Sequence, residues 1–228
     1  MRCMQRLICA SILLFVFTPA SLADIVQVAP NSYIAGVNTV EFQYFVAPEW
    51  AGRQRQQNWC WAACVQMVLN YHGLYVTQEQ VVQRVFGQQI DQAADEAGIL
   101  TALTGWLPDN RGRFSAITAS PYVWDEALVN DLAYKWPLIA GLRNEDGLSG
   151  HAYVLTALQF HKETYVSGYN RVLVGGRWYN VPTYAQRLVF DYVVLRDPWP
   201  TNESKQVWTW AKFRSQLMNL NRVFVVRL

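Results

Sequence analysis

The chain has 228 residues and a formal net charge of +2, and both values limit what it can be. The length corresponds to one or two domains and is sufficient for a substantial hydrophobic core. Both excess charges come from Arg2 and Arg6, so the remaining sequence has 17 basic and 17 acidic residues. This balance argues against nucleic acid or an anionic membrane surface as a partner.

Residues 1–23 have the pattern of a secretory signal peptide. Two arginines precede an apolar run from Leu7 to Phe17, and Ser21-Leu22-Ala23 has the spacing of a cleavage site. That run is too short to span a bilayer, and no later segment approaches ~20 apolar residues. We therefore predict a secreted or periplasmic protein that begins at Asp24 and has no stable membrane insertion. A lipid anchor at Cys9 is less favoured, because the small residues of a lipoprotein cleavage site are missing.

Residues 24–48 are predicted to form an N-terminal extension in front of the main domain, residues 49–228. The runs Ile25 to Val28, Tyr33-Ile34 and Glu41 to Val46 are typical of extended chain and are separated by Pro and Gly. One or two strands and a small pro-segment are equally compatible with this pattern.

A helix is predicted to begin close to Cys60 and to end at a Gly73 C-cap. Asn58 is a plausible N-cap, and Cys60 falls in the first turn, where the helix dipole favours a thiolate. A cysteine on an apolar stripe commonly only packs in the core, so a nucleophile needs further support. The stripe consists of Cys60, Ala63, Cys64, Met67, Val68 and Tyr71.

That support comes from the sequence around Cys60. Gln54 precedes Cys60 by six positions, and Asn58-Trp59-Cys60-Trp61-Ala62-Ala63 opens the helix. This segment resembles the active-site segment of papain-like cysteine peptidases, particularly small bacterial members. The resemblance implies that the Gln54 amide and the Cys60 backbone N–H form the oxyanion hole. Gln56 and Gln57 also carry amides, but the six-residue offset favours Gln54.

Removal of the signal peptide leaves Cys60 and Cys64 as the only thiols. Two cysteines in an exported protein ordinarily suggest a disulfide. A bridge across a single helical turn would constrain little of the unfolded chain, so we favour a reactive Cys60 and a buried Cys64. A metal site is less favoured still, because no His or carboxylate stands at ligand spacing.

The remaining sequence is mainly helical up to about residue 135 and mainly extended after Pro137. Further helices are predicted from the Thr77 capping box to Gly87, over residues 91–104, from Ser120-Pro121 to Tyr134, and over Thr209 to Leu217. Gly175-Gly176 indicates a hairpin turn. The predicted strands are 138–142, 151–160, 164–174, 178–181, 187–196 and 222–228.

The papain-like resemblance implies an α+β two-lobe fold that agrees with this pattern. In it, a helical lobe at about 49–135 packs on an antiparallel β lobe at about 136–228. No internal repeat or low-complexity tract interrupts either part.

A nucleophilic thiolate needs a base, and the chain has three histidines. His72 lies roughly 18 Å along the same helix as Cys60 and cannot reach it. His161 begins a predicted Lys162-Glu163 turn and is interpreted as a solvated loop residue. His151 remains, and its Gly-His-Ala context resembles the segment that presents the catalytic histidine in papain-like peptidases.

The family's third residue is an Asn or Asp that orients the histidine. Asp197 ends a strongly apolar strand, and Trp199 resembles the indole that shields this pair in many relatives. We expect Asp197 to accept a hydrogen bond from His151 Nδ1–H. Asp191 is the competitor, but it lies about 20 Å along the same strand, so only one of the two can meet His151.

These residues predict a secreted cysteine peptidase that acts on protein or peptide substrates without a cofactor. Cys60 would be the nucleophile, His151 the base and Asp197 the orienting group. Two alternatives use the same fold: amidase or transpeptidase chemistry on cell-wall peptides, and a non-catalytic binding module. Intact Cys60, His151 and Asp197 argue against the binding module.

Overall fold

The computed structural model describes residues 25–46, 52–105, 115–122, 125–147 and 149–227. The predicted signal peptide and the predicted mature start at Asp24 lie outside these residues, so export stays a prediction. Within the described ranges, no helix is long and apolar enough to cross a membrane.

The described residues form six helices and eight strands, and every strand pairing is antiparallel. The helices are α1 (Thr39–Gln43), α2 (Cys60–Tyr71), α3 (Gln78–Phe86), α4 (Glu96–Leu103), α5 (Asp125–Ala133) and α6 (Trp210–Gln216). The strands are β1 (Ile25–Ala29), β2 (Ser32–Gly36), β3 (Ser115–Pro121), β4 (Leu138–Arg143), β5 (Gly150–Val174), β6 (Arg177–Arg196), β7 (Lys205–Thr209) and β8 (Leu217–Arg227). They form one sheet in the order β1-β2-β5-β4-β8-β3, with β6 on β5 and β7 on β6. The predicted α+β class is confirmed.

Helix α2 is buried on all sides rather than along one stripe. Its residues from Trp61 to Asn70 are all buried, which is typical of a helix at the centre of a core. Its polar side chains are paired, because Gln66 donates to the Val76 carbonyl at 2.9 Å and Asn70 accepts from the Val76 N–H at 2.8 Å. Helices α3 and α4 pack on α2, as does strand β5. This packing fixes α2 against the strand that carries His151.

The sheet separates two hydrophobic cores, because successive side chains of a strand point to opposite faces. Val154 of β5 packs with the α2–α4 core, whereas Leu155 packs with Leu132 of α5 and Phe213 of α6 in the second core. Helices therefore cover both faces of the sheet. The helical lobe expected at about 49–135 is interrupted by β3, which joins the sheet, whereas β1 and β2 agree with the strands considered for residues 24–48.

The predicted helix from Ser120-Pro121 is wrong in its first part. Residues Ser115–Pro121 form β3 and pair with β8, and the Tyr122 N–H donates to the Leu220 carbonyl at 2.7 Å. Because β3 is the edge strand of the sheet, the missing N–H of Pro121 is tolerated there. Helix α5 begins only at Asp125.

Two other segments differ from the prediction because side chains bind their backbone groups. Helix α4 begins later than predicted, since the indoles of Trp59 and Trp61 donate to the carbonyls of Ile90 and Gln92 at 2.7 and 3.0 Å. Asp95 then caps the helix. The run predicted to be extended at 41–46 contains part of α1, whose N-cap Asn38 accepts two backbone N–H groups.

Strands β5 and β6 are continuous where shorter runs were predicted. Their pairing contains three register irregularities instead of loops. The hairpin turn at Gly175-Gly176 is confirmed, with positive φ values of 58° and 79°. The predicted turn at Lys162-Glu163 is wrong, because both residues lie within β5 and pair with β6. The helix predicted at Thr209 is confirmed as α6, whereas β7 was not predicted.

An ion pair between α5 and β8 offers a test of the fold. Asp131, whose side chain is only 3% exposed, accepts from Arg222 Nε at 2.5 Å and Nη2 at 2.8 Å. Arg222→Ala leaves this carboxylate buried without its partner, so we expect a loss of about 3 kcal/mol in the free energy of unfolding, measured by urea titration. The matched control Arg187→Ala removes an exposed pair with Glu163 and should cost less than about 1 kcal/mol. Equal losses would contradict this packing.

Candidate active site

Cys60 is the first residue of α2 and is partly exposed. The predicted N-cap Asn58 is wrong, because the N-cap is Trp59, which makes no side-chain capping bond. Asn58 is held instead by Asp91, whose carboxylate accepts the Asn58 backbone N–H at 2.8 Å. The N–H groups of the first turn have no intrahelical acceptor, so this end of α2 favours an anion at Cys60.

His151 lies between Cys60 and Asp197. Cys60 lies close enough to the His151 ring to raise the pKa of His151, and His151 Nε2 lies 2.8 Å from Asp197 Oδ1. The ring nitrogen left for Cys60 is therefore Nδ1, the reverse of the predicted arrangement.

Two aromatic side chains hold the His151 ring in its orientation. Tyr153 contacts the ring edge to face, with centroids 4.8 Å apart, and Trp199 does so at 6.0 Å. Trp199 thus lies where an indole was expected to shield the His–Asp pair. Only 12% of the His151 side chain is exposed, so rotation away from Asp197 would require these rings to move.

The Asp197 carboxylate is fully buried and accepts four hydrogen bonds. Burial alone would raise the pKa of Asp197, but the bonds from His151, Asn202 and the Trp199 N–H outweigh it and lower the pKa. Asp197 is therefore an anion whose acceptor sites are all used. The donors are His151 Nε2 and the Trp199 N–H on Oδ1, each at 2.8 Å, and Asn202 Nδ2 at 2.8 Å and Gln206 Nε2 at 2.7 Å on Oδ2.

Sequence reasoning missed the residues that hold Asp197. Asn202 and Gln206 gave no signal beyond their closeness to Asp197 in the chain. Arg53 was also missed: its guanidinium donates to the carbonyls of Asp197, Trp199 and Asn202 at 2.7, 3.0 and 2.9 Å. Arg53 therefore ties the loop after β6 to the segment that leads into the Cys60 helix.

The competing carboxylate, Asp191, belongs to a different pair. His161 Nδ1 lies 3.0 Å from each Asp191 oxygen. His161 is consequently a half-buried strand residue with a side-chain partner, and its interpretation as a solvated loop residue is wrong. Asp191 of β6 thus pairs with His161, and Asp197 of the following loop pairs with His151.

Gln54 is buried next to this site, but its amide protons are engaged. Gln54 Nε2 donates to the carbonyls of Gln56 and Gln57, both at 3.0 Å. Gln54 Oε1 is buried without a hydrogen-bond partner within the described ranges. A role in an oxyanion hole therefore requires one of the two amide bonds to break when substrate binds.

The two cysteines, both free as predicted, have different surroundings. Burial lowers the pKa of His151, but hydrogen bonds to Asp197 and Cys60 and the charges of both raise it to about 9. Cys60 therefore faces an imidazolium. Burial raises the pKa of the Cys64 thiol, and the charges of Cys60 and Asp197 raise it further, so Cys64 stays neutral.

The third histidine and the cavity that it lines lie away from this cluster. His72 is at the opposite end of α2 from Cys60, and it lines a cavity of about 470 Å³ with Glu41, Tyr134 and Trp136. No group of three or more His, Cys, Asp or Glu side chains that could hold a metal ion occurs in the described part of the chain.

The family model described as papain-like cysteine protease AvrRpt2 matches residues 46–218. The chain belongs to this family. The match confirms the resemblance inferred from the Cys60 segment, and the matched span of this papain-like cysteine protease contains Gln54, Cys60, His151 and Asp197.

Two solved structures resemble this papain-like protease at 15% identity. One is the peptidase domain of Streptococcus ComA, a bifunctional ABC transporter involved in a quorum-sensing pathway, with 77% of this chain and 96% of that chain covered and a TM-score of 0.47. The other is a double glycine motif protease from an AMS/PCAT transporter in complex with a leader peptide, with 77% and 89% covered and a TM-score of 0.43. No curated protein matches the chain.

Asp197→Asn should lower the pKa of His151 from about 9, because the neutral amide removes the charge that favours imidazolium. An NMR titration of His151 Cε1–H measures this. The pKa of His151 in the folded state lies above the ordinary value of 6.5. Its pairing with Asp197 therefore stabilises the fold fully below about pH 6.5, and this stabilisation is lost as the pH rises through 9.

The control for this titration is Asp191→Asn, which removes the same charge from the partner of His161. It should leave the His151 titration unchanged. An unchanged His151 pKa in Asp197→Asn would contradict the assignment of Asp197.

Proposed function

We propose that this papain-like cysteine protease hydrolyses peptide bonds with Cys60 as nucleophile, His151 as general base and acid, and Asp197 as the orienting carboxylate. The observation that carries the proposal is the 2.8 Å contact between His151 Nε2 and the saturated Asp197 carboxylate, beside a Cys60 thiol close enough to raise the pKa of His151. Asp197 stays ionised and His151 favours imidazolium, as the roles of these two residues require.

In the first half of the reaction, Cys60 Sγ attacks the substrate carbonyl carbon. A C–S bond forms and the carbonyl electron pair moves to oxygen. When the carbonyl reforms, the C–N bond breaks and the His151 imidazolium gives its proton to the leaving amine. His151, now neutral, then takes a proton from water, whose oxygen attacks the thioester. Cleavage of the C–S bond restores the thiolate and the imidazolium.

Gln54 and the Cys60 N–H are proposed to bind the oxyanion. The buried Gln54 amide carries the two N–H donors that this role needs, and in the resting position both point at the carbonyls of Gln56 and Gln57. A negatively charged oxygen is a stronger acceptor than the neutral carbonyls of Gln56 and Gln57, which now hold the amide. Substrate would thus draw one Gln54 N–H away from them as charge develops.

Cell-wall peptides are the competing substrate class. The same thioester can be formed on them and passed to water or to an amine, which is amidase or transpeptidase chemistry. Digestion of a peptide library compared with digestion of peptidoglycan separates the two classes. We expect the library to be cut and purified peptidoglycan to remain intact.

Labelling with a thiol-reactive epoxide tests the nucleophile. We expect modification of Cys60 but not of Cys64, because Cys60 is partly exposed beside an imidazolium and Cys64 is a buried neutral thiol. His151→Ala should abolish labelling and lower peptide cleavage by about 10³-fold or more. Cys64→Ala is the matched control and should keep both. Equal labelling of the His151→Ala variant would refute the pairing.

The pH dependence of kcat/KM tests the charge state of the pair. The rate should rise with pH as the thiolate–imidazolium pair forms and should fall as His151 loses its proton near pH 9. In Asp197→Asn the alkaline limb should move to lower pH. A wild-type limb near the ordinary histidine value would show that Asp197 does not stabilise the imidazolium.

A further inference from the structure

A cleft extends from His151 along one side of the site. Its inner part has a volume of about 260 Å³ and is lined by His151 and Trp199, and its outer part has about 290 Å³. Both parts are lined by Asn144, Tyr153 and Asn202, so they form one continuous surface, here called the His-side cleft. Neither mechanism nor family match assigns it a ligand.

The reaction determines which part of a substrate would occupy this cleft. His151 must deliver its proton to the leaving amine, so the leaving amine lies against His151. The residues that follow the scissile bond therefore extend into the His-side cleft. This step rests on the proposed function.

Two cations line the outer part of the cleft. Arg143 is exposed and is the last residue of β4. It follows Leu142, which pairs with His151. Among the described residues, no carboxylate forms an ion pair with Arg143. The second cation, Lys212, lies over the Trp208 ring at 4.1 Å from the centroid.

The acidic groups of the cleft only weakly offset these cations. Glu145 lies 3.9 Å from Lys212 Nζ, but its side chain is 86% exposed, so water screens the pair. The Asp197 carboxylate cannot pair with either cation, because four donors already occupy its oxygens. Gln206 and Asn202 each give an amide N–H to Asp197, and Asn144 gives one to Ser149 Oγ at 2.8 Å. Within the described part of the chain, Arg143 is thus a cation without a carboxylate partner, in a cleft whose neutral amides are largely engaged.

We propose that the His-side cleft binds an acidic side chain, Asp or Glu, within the first residues after the scissile bond. Arg143 is the main contact and Lys212 the second. A guanidinium suits this ligand, because its planar donor pair matches a carboxylate. Charge in this cleft therefore contributes to the choice of cleavage site.

Cleavage of a peptide library, with products identified by mass spectrometry, tests the proposal. Wild-type sites should be enriched about threefold in Asp and Glu after the scissile bond, as expected for a partly exposed ion pair. Arg143→Glu should remove this enrichment and favour Lys and Arg, and Lys212→Glu should weaken it. The control Arg177→Glu makes the same charge change at the distant β5–β6 turn and should keep the wild-type profile.

Alkylation of Cys60 by iodoacetate and iodoacetamide gives a readout that needs no cleavage. The two reagents differ mainly in charge, so the ratio of their rates reports the potential beside the thiol. Arg143→Glu should lower this ratio about threefold, and Arg177→Glu should not. Cleavage without acidic preference, or an acidic preference that is kept in Arg143→Glu, would overturn the proposal. Failure of the wild type to cut any peptide would instead overturn the proposed function.

Discussion

The buried carboxylate of Asp197 accepts four hydrogen bonds, and the charge state of the site depends on those bonds. Burial by itself favours the neutral acid, and only the donors around both oxygens keep Asp197 ionised. One donor is His151 Nε2, so the same contact fixes the imidazole ring and stabilises its protonated form. Cys60 then faces a cation at the first turn of a helix, where an anion is favoured.

Three distant segments of the chain must meet for this contact to form. The start of α2 supplies Cys60, the start of β5 supplies His151, and the end of β6 supplies Asp197. Arg53 joins the first and third by donating to three carbonyls of the loop after β6. On the other side of Asp197, the fully buried Arg196 donates to Gln43 and to the Thr39 carbonyl of α1. The chain is thus anchored both before and after Asp197, which fixes the position of its carboxylate.

The sequence was sufficient to predict that His151 meets Asp197, because only three histidines were available and the segment around Cys60 is specific. It could not predict which nitrogen of His151 faces Asp197, since residue types and their spacing do not determine the orientation of the ring. Asn202 and Arg53 lie in loops that have no periodic pattern, and Gln206 lies in β7, which was not predicted. Ser120-Pro121 has the residue types of a helix start, but pairing with β8 at a sheet edge outweighs that local preference.

A crystal structure of the enzyme bound to a peptide aldehyde tests the arrangement around Asp197 most directly. We predict a covalent bond from Cys60 Sγ to the aldehyde carbon, with His151 still donating to Asp197 and a Gln54 N–H moved from its backbone carbonyls to the hemithioacetal oxygen. An aldehyde bonded to Cys60 while the His151 ring has turned away from Asp197, or a Cys60 left unmodified, would contradict it.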